Sequence, residues 1–408
     1  MDFGLAALTP AQETFAEQVR AFLAETVTGD VLDAEHETGD GFNERVHLAL
    51  GARGWLTPDW PAADGGAGLD EVCCWILQRE LARHHVPMIT AGTTALIWPA
   101  VDQFAEPELR TEVKAGMAAG TVRMCLGYTE PDGGSDVAAA KLHAVRDGDC
   151  WVLNGSKIFT TGAHNCQYSF LLTRTAPDRP KHKGLTMFLV PLRTRGVTIQ
   201  AVRTFGGERT NIVYYDDVRI ADRYRLGGEN DGWAVLHGPL DAEHGQGSRV
   251  SDPSIGTSWI HVLREALDAA AAWAARPGPD GRRPADDPAV LARLGRVAAD
   301  IEAAEITPGP FGRVKCSDVL IKYAAELTDL TGHAGLLSRG APGAPGDGAI
   351  DYAHRFAQGT ATYAGTVEVF RTIIATHVLG LPRLTYPGSR EYLPAGHVTG
   401  GGRPAVRA

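Results

Sequence analysis

Three segments of this chain bring reactive or ligand-touching residue types close together. The first is LGYTEPDGGSDVAAAKL at 126–142, where Tyr128, Thr129 and Ser135 carry hydroxyls around a glycine pair. Taken alone, EPDGGSD reads as a surface turn, because turns select Pro, Gly, Asp and Ser. The second is NGSKIFTTG at 154–162, with a lysine, a phenylalanine and two threonines. The third is GWAVLHGPLDAEH at 232–244, where Leu236, Leu240 and Glu243 recur at i, i+4 and i+7, one face of a helix. A carboxylate on an apolar stripe is a sign of a misread helix phase, a satisfied ion pair or a desolvated base, since burial raises its pKa toward neutrality. Gly238 and Pro239 interrupt this stretch. Proline is tolerated where a helix begins, so a new segment starting at Pro239 preserves the phase of 240–243.

The elements around these segments change character along the chain. Near the N-terminus, Thr9 and Pro10 make an N-cap and first-turn pair, and Phe15, Val19, Phe22 and Leu23 follow at helical spacing. TPDWPAADGGAGLD is loop, and Val72, Trp75 and Ile76, continued by Leu77 and Leu81, open another helix. From residue 121, VRMCLGYTE, CWVLNGSKIFTT, YSFLLTRT, GLTMFLVPL, GVTIQAVRTF and NIVYYDDVRI read as strands separated by turns. The Asn154 and Gly155 dipeptide is a strong turn signal. Helical patterns return after 230. TSWIHVLREALDAAAAWAARP ends at Pro277, PAVLARLGRVAADIEAAEI follows Asp286 and Asp287, and SDVLIKYAAELTDLTG has Ser317 to cap it and Gly332 to end it. The fold class is α+β multidomain: a helical domain at 1–120, a β-barrel or sandwich at 121–229, a helical bundle at 230–385, and a Gly- and Pro-rich tail at 386–408 that is mobile or pinned on a neighbour.

Composition excludes several classes. Hydrophobic residues make up 44% and charged residues 22%, ordinary for a globular protein. With 39 Lys and Arg against 49 Asp and Glu, the net charge is −10, which argues against a nucleic-acid binder. The six cysteines form no CxxC pair and suit no zinc site, so no metal is expected and free thiols in a reducing compartment are. No signal peptide and no membrane span are legible, and the expected location is cytoplasmic.

The first two segments together resemble the acyl-CoA dehydrogenase family. That family carries a strand ending in a T-E-P-x-x-G-S-D turn, followed by an N-G-x-K-x-W-I-T-N-G segment. The likeness extends to LTPAQETFAEQVRAFLAE, LGARGWLTPDWPAADGGAG, RTNIVYYDDVRI with LGGENDGW, and YAGTVEVFRTIIATHVLGLPR. It implies an N-terminal helical domain, a middle β domain and a C-terminal four-helix bundle, with FAD between the last two. Leu126, Tyr128 and Thr129 match the family's contacts to the flavin's polar edge. Gly134 and Ser135 match the turn near the pyrophosphate and substrate, and Thr161 the hydroxyl on the hydride-accepting nitrogen. Phe159 stands where the family has a tryptophan, and Thr366 and Glu368 match contacts to the nucleotide half.

The implied reaction is α,β-desaturation of an acyl-CoA or carrier-bound acyl thioester, with electrons passed to an electron-transfer flavoprotein. In the commonest members the base is the Glu of Y-E-G-T; here the segment is Tyr363, Ala364, Gly365 and Thr366, so that base is absent. The Ala364 N–H remains to polarise the thioester carbonyl, with Tyr363 beside it. A second group of relatives carries the base on an earlier helix in L-x-x-E-R, which makes Glu243 the expected base and Asp241, Glu368 or none the alternatives. His244 takes the place of the Arg that helps hold CoA, so Asp241 and His244 are expected on the substrate side. The R-x-x-F-G motif that grips a partner subunit's FAD is missing; Arg282 and Arg283 sit in that loop, where solvated charges are the plainer reading. A dimer or tetramer, of like or unlike chains, is expected, and these departures leave two alternatives: a partner subunit completing the flavin site of a heteromer, and an oxidase or hydroxylase on the same fold. Relatives with this C-terminal signature include dehydrogenases of steroid side chains and other bulky acyl groups.

Overall fold

The computed structural model describes residues 8–243 and 257–382. Six helices come first: α1 (Pro10–Thr26), α2 (Gly29–Thr38), α3 (Glu44–Gly51), α4 (Glu71–Arg83), α5 (Ile89–Phe104) and α6 (Pro107–Ala119). Their ends follow local chemistry. Thr9 and Gln12 form a capping box on α1, Asp70 accepts from the Cys73 N–H at 2.7 Å on α4, and α6 begins at Pro107 and stops at Gly120, φ 77°. In α4 the buried side is Ile76, Leu77, Glu80 and Leu81, whereas Val72 and Trp75 face solvent. The apolar run that signals this helix is therefore wider than the stripe it buries.

The middle of the chain is one eight-stranded sheet: β1 (Met124–Gly127), β2 (His143–Asp147), β3 (Cys150–Lys157), β4 (Tyr168–Arg174), β5 (Leu185–Pro191), β6 (Val197–Arg203), β7 (Arg209–Ala221) and β8 (Arg225–Leu226). The order is β6-β7-β3-β2-β4-β5-β8, and β1 pairs with β4 in parallel. Two short strands beyond the six sequence runs, β2 and β8, complete it. Asn154 and Gly155 do not make the expected turn. The β2–β3 reversal falls at Gly148, φ 62°, and Gly155 sits inside β3 at a register shift, where an added Cβ would come within 2.9 Å of Leu142 Cγ. Asn154 bonds across to β7 instead, accepting from the Asp217 N–H at 2.9 Å and donating to Asp217 Oδ1 at 3.0 Å.

After the sheet come α7 (Gly232–Glu243), α8 (Thr257–Ala274), α9 (Pro288–Glu305), α10 (Gly309–Thr331), α11 (Ala349–Thr360) and α12 (Val367–Ile373). Helices α8, α9, α10 and α11 form a bundle around Leu263, Val297, Ile301, Leu320, Tyr323 and Ile350. The third helix starts at Gly309, earlier than its sequence signals, so Ser317 is not a cap but lies buried in mid-helix. Its hydroxyl donates to the Thr360 carbonyl of α11 at 3.1 Å. Helix α7 packs on α5 and β5, and its Val235 and Leu236 share a core with Ile97, Val101 and Leu189. Gly232 is needed there, because an added Cβ would lie 2.8 Å from the Thr186 backbone. The expected tail at 386–408 lies outside the described residues.

All three parts meet at the β6–β7 hairpin. Arg203 donates to the Glu37 and Thr38 carbonyls, the Arg209 N–H to Gly39, and Arg355 of α11 to the Phe205 carbonyl. Gly39, φ 59°, has no room for a side chain, since its Cβ would be 2.2 Å from the Gly207 carbonyl oxygen. Beside it both carboxylate oxygens of Glu35 lie 3.0 Å from the Gly41 nitrogen. Burial, helped by Asp40 and Glu208, pushes the Glu35 pKa up to about 7. A carboxyl whose folded pKa is raised stabilises below that value and loses the contribution as pH rises from about 4.5 to 7. Glu35→Gln, which keeps an acceptor for Gly41, should therefore stabilise the protein by about 1–2 kcal/mol at pH 8 and change little at pH 4.5. Denaturant midpoints at the two pH values measure it; an equal effect at both would contradict the assignment.

Candidate active site

The two motif segments are clamped together by a buried ion pair. The Lys157 ammonium, 0% exposed at the end of β3, donates to Glu130 Oε1 at 2.8 Å and to the Tyr128 carbonyl at 3.1 Å. Glu130 in turn accepts from the Leu142 N–H at 2.9 Å and the Lys141 N–H at 2.7 Å, closing the 130–142 loop on itself. The Ile158 N–H bonds the Thr129 carbonyl at 2.9 Å. Burial pushes the Lys157 pKa down to about 8, against the pull of Glu130. Burial acts to raise the Glu130 pKa, but Lys157 and the two amides outweigh it and hold the carboxyl below its ordinary value. The residue reading passed over this pair, although both members stand inside the quoted motifs.

This clamp sets Leu126, Tyr128 and Thr129 beside the bend at 158–161. Leu126 is half-buried in β1, and Tyr128 is buried edge-to-face on Phe170 with ring centroids 5.9 Å apart. Phe159 adopts φ 59° and leaves its ring 60% exposed. Thr160 is fully buried, yet its hydroxyl has no hydrogen-bond partner among the described residues. Thr161 bonds Thr210 hydroxyl to hydroxyl at 3.0 Å. Asn211 fixes the bend to β7, taking the Thr160 N–H on its carbonyl and donating its side-chain amide to the Thr160 carbonyl, both at 3.0 Å. Gly134 and Ser135 are exposed in the turn. A Cβ at Gly134 would meet Thr129 Cγ2 at 3.4 Å, so contacts within the chain do not demand glycine there. Lys181 pins the turn through Asp136 at 2.7 Å.

The second group lies on the turn after α11. The Tyr363 hydroxyl donates to Glu208 Oε2 at 3.4 Å, two residues before Thr210, so the β6–β7 hairpin touches both groups. Burial, then Glu208, pushes the Tyr363 pKa up to about 12. Ala364 holds φ 49°, a left-handed conformation that costs a non-glycine residue roughly 1–2 kcal/mol. Thr366 caps α12, its hydroxyl accepting the Val369 N–H at 3.2 Å, and Glu368 is exposed in the first turn of that helix. In the 277–287 loop Arg283 pairs with Asp286 at 2.7 Å.

Helix α7 corrects one expectation. It runs unbroken through Gly238 and Pro239 rather than restarting at Pro239. Glu243 is the last residue of the helix. The side chains of Asp241 and Glu243, and all of His244, lie outside the described residues.

Comparison with known proteins agrees along most of the chain. Models of the acyl-CoA dehydrogenase N-terminal, middle and C-terminal domains match residues 9–121, 125–218 and 230–308. Acyl-CoA dehydrogenase FadE26 of Mycobacterium tuberculosis is 30% identical over 406 residues, covering 92% of this chain and 98% of that protein. Acyl-CoA dehydrogenase IpdE1 of the same organism is 31% identical, covering 91% and 98%. Among solved structures, the Tcur3481-Tcur3483 steroid ACAD superposes with a TM-score of 0.80 at 29% identity, covering 94% of this chain and all of that one. The ChsE4-ChsE5 complex from Mycobacterium tuberculosis gives 0.79 at 29%, covering 93% and 100%. Fold and relatives define a flavoprotein oxidoreductase of lipid metabolism. The chain belongs to the acyl-CoA dehydrogenase family.

Lys157→Met leaves Glu130 buried with its two amide partners and no cation. Removing one member of a buried pair destabilises by roughly 3–5 kcal/mol. The unfolding midpoint of Lys157→Met should fall accordingly at pH 7, and the gap to wild type should widen between pH about 8 and 10.5, where the folded lysine has given up its proton and the unfolded one still holds it, so that wild type alone gains stability. A gap that stays constant to pH 10 would contradict this.

Proposed function

We propose that this chain holds FAD against the 126–135 and 158–161 segments and catalyses α,β-desaturation of an acyl-CoA thioester. The observation that carries this reading is the clamped bend, which presents an exposed Phe159 ring beside the Thr160 and Thr161 hydroxyls. A planar, electron-poor ring system calls for an aromatic wall with hydrogen-bonding groups at its edge. Leu126, Tyr128, Thr129 and Thr161 would take the ring, Gly134 and Ser135 the pyrophosphate, and Thr366 and Glu368 the nucleotide half. When bound, FAD supplies the acceptor for the hydride that leaves Cβ.

The remaining chemistry belongs to side chains and amides of the protein. Glu243, at the end of α7, takes the proton from Cα; a carboxylate base working in a dry pocket has its pKa raised by desolvation. The Ala364 N–H polarises the thioester carbonyl so that negative charge developing on its oxygen is stabilised. Asp241, His244 and Tyr363 border the acyl carrier. The steroid ACAD among the structural neighbours suggests a bulky acyl group, and an electron-transfer flavoprotein is the proposed oxidant of the reduced enzyme. A second reading, a partner subunit that completes a heteromeric flavin site, is favoured by Ala364 at the usual base position and by the lack of R-x-x-F-G.

The visible spectrum of the protein expressed alone separates the two. One flavin per chain, bleached by octanoyl-CoA or a steroid side-chain acyl-CoA, supports the dehydrogenase; no flavin, or half per chain, supports the partner subunit. In the first case Glu243→Gln should keep its flavin and bleach about a thousandfold or more slowly; full activity in that variant would remove Glu243 as the base. Phe159→Trp adds stacking area and should tighten flavin binding by roughly 0.5–1 kcal/mol, read by flavin titration of the apoprotein. Unchanged affinity would place the ring elsewhere.

A further inference from the structure

The turn that carries Ala364 is held from beneath by one buried arginine. Arg313 of α10 is 1% exposed, with its guanidinium carbon 4.7 Å from the Trp259 ring centre and 5.1 Å from that of Phe370. Its Nη1 donates to Ser317 Oγ at 2.5 Å. Its Nη2 donates to the carbonyls of Tyr363 at 2.6 Å and Gly365 at 2.9 Å, the residues on either side of Ala364. A peptide unit is planar and trans, so its C=O and N–H point in opposite directions. With the Tyr363 carbonyl turned to Arg313, the Ala364 N–H of the same unit points away from α10. Among the described residues that N–H makes no hydrogen bond.

We propose that Arg313 is a positioning residue for thioester activation. It fixes the orientation of the peptide joining Tyr363 to Ala364, and through a charge-assisted bond to the carbonyl it polarises that peptide, making the opposite N–H a better donor. The inference rests on the reading that this amide serves the thioester carbonyl. Arginine suits the task because its planar fork serves the Ser317 hydroxyl and both carbonyls at once, which a lysine cannot do in one geometry.

Tyr is followed by Ala at three places, 323, 352 and 363, so labelling Tyr carbonyl carbons with ¹³C and Ala nitrogens with ¹⁵N isolates three amide resonances. In Arg313→Met the resonance of Ala364 should move while those of Ala324 and Ala353 stay. The flavin-loaded variant should bleach with octanoyl-CoA about 10–100-fold more slowly, with thioester affinity within a few-fold of wild type, and Arg313→Lys should recover part of the rate. An unmoved Ala364 resonance, or a wild-type bleaching rate in Arg313→Met, overturns the proposal. If all three resonances move, the fold has been disturbed and Arg313→Lys decides by the same two readouts. If the wild-type protein is bleached by no acyl-CoA, the dehydrogenase reading fails, whereas the resonance still shows whether Arg313 sets that amide.

Discussion

The ammonium of Lys157, shut away from water against Glu130, is the contact on which the β side of the site depends. Removing two charges from solvent costs several kcal/mol for each ion, so such a pair persists only when every lone pair and proton is used. Here the Tyr128 carbonyl takes a second ammonium proton, and the amides of Lys141 and Leu142 each bond one of the two carboxylate oxygens. The result is specificity: only one placement of the 130–142 loop on β3 satisfies all of them. The end of β1, the bend at 158–161 and the attachment of that bend to β7 then follow in sequence.

The bundle side is built on a different principle. It has no strand pairing to fix it, and a turn with a left-handed alanine would relax if left alone. A charged fork from α10 reaches its backbone carbonyls, and two aromatic rings confine the fork. Between the two sides runs the β6–β7 hairpin, where Glu208 meets Tyr363 and Thr210 meets Thr161. The same hairpin touches α2 through a glycine with no space for a Cβ. Each part of the molecule is therefore referenced to this one hairpin.

Much of this was legible in the residues. Helix caps at Thr9 and Asp287, the strand runs and the helix–sheet–helix order rest on local chemistry, which sequence carries directly. Where local signals misled, a distant partner had intervened. Asn154 and Gly155 carry a strong turn signal, but the Asn side chain bonds Asp217 on β7 and the pair becomes a bulge. Ser317 looks like a cap, but Pro308 and Gly309 start the helix earlier and its hydroxyl bridges two helices. Pro239 does not break α7, whose buried Val235 and Leu236 share a core with α5 and β5. Arg313 carries no signal at all, because its meaning lies in carbonyls 50 and 52 residues away.

The Arg313 bonds that hold the 363–365 turn both engage main-chain carbonyls, and neither involves the side chain at position 364. The conformation of this corner is thus uncoupled from the identity of the residue that occupies it. A scaffold of this kind accepts a change of side chain at position 364 without moving the amide beside it.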